Sequence, residues 1–315
     1  MAHNAYTFRY RVRNWRTYNQ ALIDRGGITF WIDEALLVTW RNSQACRGPG
    51  APKVYSDTTI HCTVVVKSVY GLSLRAAQGF VSSVMSFMRL DLPVPNNSTI
   101  CRRQSTLRTP FSSSSYGRSR HIVIDATGLR VHGAREWHVQ KHGSGRRRTL
   151  RKLALGVDER TKEIGATEIT TSHVHDSQVL SALLSQVTSE IAQVSGDGAY
   201  DTANCYRAIG RRGARATIPV RRNARRRERG DNPEWCKIRN ENLRGIEQRG
   251  WYEWRVSSGC TWQSLVENAM SRFKAIFGPR LRARRFDNQR TEGLIKCDIL
   301  NRMTSLGMPV SERLH

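Results

Sequence analysis

The stretch HIVIDATGLRVHG (residues 121–133) alternates apolar and polar side chains, as a β-strand that leads into a turn does. Two further strand-like segments follow, TLRKLALGVD (149–158) and EIGATEITT (163–171). After them the pattern predicts a helix capped by Asp176 (176–191), a short strand (192–196), a helix (200–213) and a strand (214–221). This order predicts an α/β fold in which the first and fourth strands are neighbours in one sheet.

The net charge of the chain indicates which class of molecule it binds. The 315 residues include 51 Lys and Arg against 26 Asp and Glu, a formal net charge of +25 at pH 7. Such an excess indicates a polyanionic partner. The sequence has neither an apolar run of about 18 residues nor a basic amphipathic helix with a clean apolar face. We therefore expect nucleic acid, and not a membrane surface, as the partner.

Cysteine usage and the N-terminus indicate the compartment. The seven cysteines form no C-x-x-C pair, which argues against a zinc ribbon. The opening residues MAHNAYTFRY contain no apolar stretch of the kind a secretory signal needs. We expect a cytoplasmic protein with free thiols.

The first 104 residues differ in pattern from the rest. Residues 1–57 predict an N-terminal region with a short helix, a Gly-Gly turn and an aromatic strand at ITFWID. Residues 58–104 are helical in pattern, with Ser73 capping one helix and Asn97 or Ser98 capping a second, basic one. A helix-turn-helix DNA-binding domain and a plain helical bundle fit this pattern equally well.

Two polar segments divide the remainder. Residues 105–120, rich in Ser and Arg, are typical of a linker between domains. The region 121–315 then forms the second domain, interrupted by an insertion at 221–258 that opens with RRNARRRERG. Six arginines in ten residues fit a solvated basic loop. The Trp and Tyr residues that follow favour an insertion that faces nucleic acid.

Three carboxylates occupy distinctive places in the second domain. Asp125 is predicted to end its first strand, Asp197 to end its fourth strand, and Glu267 to lie in the first turn of a last helix at 262–278. Singly, each has an ordinary explanation, as a turn residue or as a partner of the helix dipole. Together they supply the hard oxygen ligands that two Mg²⁺ or Mn²⁺ ions need for phosphoryl transfer.

Three motifs carry a resemblance to a known family. IVIDATGLRVHGAREW, VSGDGAYDT and SLVENAMSRFK together resemble the bacterial insertion-sequence transposases of the DDE class, in the branch related to the Tyr-Arg-Glu-Lys signature. With NWRTYNQAL, ITFWID, YSDTTI and LDLPVPNNSTICRR, the resemblance covers roughly residues 14–310. It implies a ribonuclease H-like mixed sheet with flanking helices and an Arg-rich insertion, preceded by a mainly helical DNA-binding domain.

The resemblance also implies a site. Asp125, Asp197 and Glu267 become the catalytic triad that holds two Mg²⁺ ions, with Mn²⁺ as a substitute. Lys274, seven residues after the glutamate, matches the signature Lys and lies on the same helix face as Glu267. Asp201, four residues after Asp197, is expected to cap the next helix.

Two signature positions depart from the family pattern. Gln263 stands where the signature has Arg and Cys260 where it has Tyr, which puts those auxiliary DNA contacts in doubt. The candidate DNA-binding residues are Lys274, Gln263, Arg272, Arg102, Arg103, Arg221, Arg222, Arg225, Arg226 and Arg227.

The implied function is DNA transposition. Such an enzyme binds the terminal inverted repeats of its element, hydrolyses the phosphodiester at each end, and joins the freed 3′-OH to target DNA. The implied partners are double-stranded DNA and a second copy of the chain, in a bacterial, nucleoid-associated setting. Two alternatives stay open: a non-catalytic DNA-binding regulator or domesticated remnant, and a structure-specific nuclease without strand transfer.

Overall fold

The computed structural model describes residues 10–41, 54–107, 120–131, 150–221, 224–226 and 233–314. In chain order the strands are β1 (Tyr10–Val12), β2 (Arg120–Val131), β3 (Leu150–Asp158), β4 (Ile164–Thr171), β5 (Ile191–Ser195), β6 (Arg215–Thr217), β7 (Arg280–Leu281) and β8 (Ser311–Arg313). Strands β1 and β8 form a small antiparallel pair, and the other six form one sheet.

The large sheet has the strand order β4-β3-β2-β5-β6, with β7 added beside the end of β2. Strand β3 pairs antiparallel with both β2 and β4, whereas β5 pairs parallel with β2, and β6 parallel with β5. The first and fourth strands of the region are therefore neighbours, as the sequence predicts. This order, with β3 alone reversed among the described strands, confirms the expected ribonuclease H-like mixed sheet.

The helices occupy both faces of the sheet and the N-terminal region. They are α1 (Trp15–Asp24), α2 (Ile28–Trp31), α3 (Glu34–Val38), α4 (Asp57–Val69), α5 (Leu74–Phe87), α6 (Asn97–Gln104), α7 (Asp176–Gln186), α8 (Ala203–Gly210), α9 (Glu234–Arg249), α10 (Trp251–Ser258), α11 (Gln263–Phe277) and α12 (Phe286–Leu306). None of these described helices has the length and apolar character that crossing a membrane requires.

Three local predictions are wrong. The aromatic stretch ITFWID contains the short helix α2 and not a strand, because Trp31 packs in an apolar core formed by other helices. Helix α6 is capped by Asn96, whose side chain accepts from the Thr99 amide at 2.8 Å, and not by Asn97 or Ser98. The helix at 262–278 is not the last, since α12 follows it.

Strand β2 separates two apolar layers. Ile122 and Ile124 pack on one face with α7 and α8, and Val123 packs on the other face with α11 and α12. All three side chains are at most 1% exposed. Burying one such side chain contributes about 1.5–3 kcal/mol, so the alternation fixes the register of the strand.

Helix α12 joins the sheet to the N-terminal helices. Ile295 and Ile299 share a core with Trp31, Ile60 and Ile100, while another side of α12 packs on the sheet. Whether residues 58–104 and 121–315 form separate domains stays a prediction. Most of the expected linker, residues 108–119, lies outside the described residues.

A buried acid on α12 makes stability depend on pH. Burial raises the pKa of Asp298 to about 6, although the charge of Arg302 opposes the rise. The folded chain then holds this proton more tightly than the unfolded chain, whose pKa is near 3.8. The stability contributed by protonated Asp298 is therefore lost as the pH rises through this window, up to about 3 kcal/mol.

We expect Asp298→Asn, which mimics the protonated carboxyl, to raise the Tm at pH 8 and to change it far less at pH 4. Thermal unfolding followed by circular dichroism at both pH values measures this. Asp287→Asn, an exposed position on the same helix, is the control and should show no such pH dependence. An equal change at both pH values for Asp298→Asn would contradict the assignment.

Candidate active site

Asp125 lies inside β2 and not at its end, because the pairing of β2 with β3 continues from Ile122 to Arg130. Side chains alternate along a strand, so Asp125 shares the face of Val123, toward α11. One oxygen of its half-buried carboxylate accepts the Ala126 amide at 2.7 Å.

The other two acids come from neighbouring elements. Asp197 follows β5, as expected, and caps the short 3-10 helix Gly198–Tyr200 by accepting the Ala199 amide at 3.0 Å. Glu267 is the fifth residue of α11, which begins at Gln263, so it lies in the second turn and not in the first turn as predicted. Both carboxylates are exposed.

The charges of Asp197 and Glu267 act on Asp125. Burial raises the pKa of Asp125, and the charges of Asp197, Glu267 and Asp176 raise it further, while the Ala126 amide opposes the rise. As the side chains stand, no three His, Cys, Asp or Glu residues in the described ranges are close enough together to hold one ion. A cation shared by these carboxylates would relieve their repulsion, and carboxylate oxygens are the ligands that Mg²⁺ and Mn²⁺ prefer.

Two residues beside the acids were missed at the level of sequence. Asp176, expected to cap α7, lies within its first turn and receives Lys152 Nζ at 3.0 Å, while His175 is the cap. The Tyr200 hydroxyl is buried and has no hydrogen-bond partner among the described residues. Burial, followed by the charges of Asp176, Asp125 and Asp197, raises the pKa of Tyr200. The sequence signal for Tyr200 was its position three residues after Asp197.

Two predicted residues of α11 reach the strand that carries Asp125. Lys274 donates to Thr127 Oγ1 at 2.6 Å, on the same face of β2 as Asp125. Gln263 donates to the Ile124 carbonyl at 3.1 Å, and its own amide oxygen is buried without a partner in the described part of the chain. The signature position that holds Gln263 therefore ties α11 to β2.

The arginines predicted to bind DNA divide into two groups. Arg103 pairs with Asp57, Arg226 pairs with Glu247, and Arg272 donates to Thr304 Oγ1 at 3.1 Å, so these three are engaged within the protein. The side chains of Arg102, Arg221 and Arg225 are exposed. Arg222 and Arg227 lie outside the described residues.

Asp201 does not cap α8, because Thr202 does, by accepting the Cys205 amide. The Asp201 carboxylate instead receives Arg239 of α9 through two contacts, at 2.9 and 3.3 Å. Both side chains are buried, at 4% and 10% exposure. The expected cap thus anchors the first helix of the insertion to the turn that carries Asp197.

Acids held on adjoining strands and a helix, with the chemistry of a divalent-metal site, are typical of enzymes that transfer phosphoryl groups. Two family models described as a transposase DDE domain match the chain, over residues 116–302 and 23–134. The first spans more than half of the chain. The chain therefore belongs to the transposase DDE domain family, whose members generally use divalent metal ions for DNA cleavage and strand transfer.

One solved structure is similar over 90% of this chain and 73% of its own, with 12% identity and a TM-score of 0.37. It is described as a cryo-EM structure of a piggyBac transposase synaptic complex with hairpin DNA. The fold assignment depends on the strand order and not on this likeness. The bacterial origin and the Tyr-Arg-Glu-Lys grouping stay predictions.

Gly196 tests the packing beneath Asp197. A Cβ at this position would lie 2.8 Å from Tyr200 Cδ2, and the Tyr200 ring is buried. We expect Gly196→Ala to displace the turn, to cost about 1–3 kcal/mol, and to lower DNA cleavage more than the loss of folded protein explains. Chemical denaturation and a cleavage assay measure both effects.

Gly79→Ala is the matched control, because a Cβ there meets nothing within 4 Å and Gly79 lies in a helix. It should leave stability unchanged or raise it by up to about 1 kcal/mol. Unaltered cleavage by Gly196→Ala would show that the turn tolerates the extra methyl group.

The Asp201–Arg239 pair should be strongly coupled. Asp201→Asn leaves a buried guanidinium without its carboxylate, and we expect a loss of about 3 kcal/mol or more in unfolding free energy. The double variant with Arg239→Gln should lose less than the sum of the single losses. Lys237→Gln, which breaks the exposed contact to Glu234, is the control and should cost under about 1 kcal/mol. Additive losses would contradict the coupling.

Proposed function

We propose that this transposase binds the terminal inverted repeats of its element, hydrolyses the phosphodiester at each end, and joins the freed 3′-OH to target DNA. The observation that carries the proposal is the placement of three acids of the family's catalytic type on neighbouring elements: Asp125 on β2, Asp197 in the turn after β5, and Glu267 on α11. Burial, and after it the charges of Asp197 and Glu267, raise the pKa of Asp125, so a divalent cation at this face would be bound favourably.

The residues have distinct proposed roles. Asp125, Asp197 and Glu267 would hold Mg²⁺ or Mn²⁺, after the exposed Asp197 and Glu267 side chains move toward Asp125. Two such ions supply activation of the attacking oxygen and stabilisation of the leaving oxygen. Lys274, held beside Asp125 through Thr127, would contact a DNA phosphate and orient the scissile bond.

Charge and exposure support DNA as the substrate. The chain has a net charge of +25, and Arg102, Arg221 and Arg225 project side chains into solvent at separate places in the sequence. Phosphate contacts of this kind supply affinity without base specificity. Two copies of the chain would pair the two ends of the element.

We expect Asp197→Asn to reduce Mg²⁺-dependent cleavage of a terminal-repeat duplex by at least a hundredfold, because it removes a ligand charge. Binding to the uncut duplex should change less than threefold. A gel-based nicking assay and fluorescence anisotropy measure the two properties. Asp91→Asn, at an exposed position in the N-terminal region, is the control and should retain both. Full cleavage by Asp197→Asn would overturn the ligand assignment.

A non-catalytic DNA-binding protein is the second candidate. Two observations favour it: the signature Arg position is taken by Gln263, which bonds to β2, and the described acids do not converge as they stand. Metal-dependent nicking of the terminal-repeat duplex by the unaltered protein decides between the two. Strand transfer from pre-cleaved ends then separates a transposase from a nuclease.

A further inference from the structure

A second charged cavity lies away from the three acids. It has a volume of about 270 Å³ and lies where the C-terminal ends of α4 and α11 meet the segment between β7 and α12. Lys67, Arg282 and Lys296 line it together with a single carboxylate, Glu292. Cationic side chains therefore outnumber acids three to one in its wall.

Glu292 is fully satisfied by other groups. Its carboxylate receives Lys296 Nζ at 2.7 Å and the backbone amides of Arg282 and Ala283 at 2.8–3.0 Å. The nearby ammonium groups and these hydrogen bonds outweigh burial and lower the pKa of Glu292. The carboxylate is thus ionised and already paired with Lys296.

Lys67 is left without such a partner. The residue is 8% exposed, and its ammonium group makes no hydrogen bond or ion pair within the described ranges. Burial lowers the pKa of Lys67, as do the charges of Lys296 and Arg282, while Glu292 opposes them. An ammonium group has three donors, so whatever fills the cavity must provide acceptors.

The backbone carbonyls at the nearby C-terminal end of α4 do not pair with the Lys67 ammonium group. The carbonyl of Lys67 accepts the Leu72 amide and that of Val66 accepts the Tyr70 amide. Arg282 donates to the carbonyls of Gly71 and Leu72 at 2.6 and 3.5 Å. These carbonyls already have donors, which leaves the Lys67 ammonium available to a bound group.

We propose that this cavity binds a phosphate group between Lys67, which is nearly buried, and the exposed Arg282. A tetrahedral anion supplies the acceptors that Lys67 lacks and neutralises the excess positive charge of the wall. The volume accommodates one phosphate or a pyrophosphate. An internal phosphodiester of duplex DNA does not enter such a recess, so the sources are a free ion or a terminal phosphate on a DNA strand.

The position of the cavity is compatible with a free phosphate ion and with a terminal phosphate of DNA. The cavity is lined by Ile276 and Phe277, nine and ten residues after Glu267 on α11, or about 15 Å along the helix axis. Arg284 and Arg285, next to the mouth in sequence, are exposed. The cavity is therefore separate from the three acids, yet on the same helix as two residues of the proposed reaction.

The test compares unaltered protein with Lys67→Met, which keeps the length of the side chain and removes its charge. Isothermal titration with inorganic phosphate and pyrophosphate, at constant ionic strength set by NaCl, should show at least tenfold weaker binding for the variant. Without phosphate, Lys67→Met should unfold at the same or a higher temperature, because an unpaired cation on a nearly buried residue is gone. In phosphate, its Tm should rise less than that of unaltered protein.

Lys237→Met, at an exposed lysine outside the cavity, is the control for binding of phosphate to the basic surface and should titrate like unaltered protein. Arg282→Gln, at the exposed mouth, gives a second variant if Lys67→Met does not fold, and should weaken binding severalfold.

A second arm, which rests on the proposed function, uses duplexes with a recessed end that carries either a 5′-phosphate or a 5′-hydroxyl. A preference for the 5′-phosphate that Lys67→Met abolishes assigns the site to a DNA end. No preference, with Lys67-dependent phosphate binding, assigns it to a free ion. Equal phosphate binding by unaltered protein and Lys67→Met, without end preference, overturns the proposal and leaves the cleavage assignment untouched.

Discussion

Strand β2 runs through the middle of the sheet with a helical layer on each face, and this placement constrains every side chain along it. Ile122 and Ile124 must face α7 and α8, so Val123 and Asp125 must face α11. A shift of one residue would bury the carboxylate in the opposite layer. The position of Asp125 relative to Glu267 and Lys274 thus follows from packing on both sides of one strand.

Helix α12 has an equivalent role for the rest of the molecule. It packs on the sheet with Leu300 and on the N-terminal helices with Ile295, and Glu292 on the same helix fixes the β7–α12 segment through backbone amides. Asn301 both donates to and accepts from the backbone of Ile164, and these two hydrogen bonds fix the position of α12 along β4. Helix α12 therefore contacts both the sheet that carries Asp125 and the cavity lined by Glu292 and Lys296.

The elements with a clear period were predictable from sequence, and those with mixed surroundings were not. The apolar residues of 121–131 and the stripe on α11 lie in the buried layers, so the pattern and the structure agree. Helix α12 is buried nearly all round, with Gln289 and Asn301 inside, so it has no polar face to reveal its period. Asp is a common helix-capping residue, so the sequence predicted a cap at Asp201. Only the contact with Arg239, 38 residues later, shows that Asp201 forms an ion pair instead. Asp125, Asp197 and Glu267 were chosen for order and chemistry, and their ligand role stays a prediction.

The shared core of α12 and the N-terminal helices has a consequence for synthesis. Trp31, Ile60 and Ile100 leave the ribosome long before Ile295 and Ile299, which complete their core. Until α12 is made this apolar surface is uncovered, as it is in a product that stops before α12. Products that lack α12 should therefore be recognised by chaperones and proteases through the uncovered helices, so that only a chain with α12 in place persists.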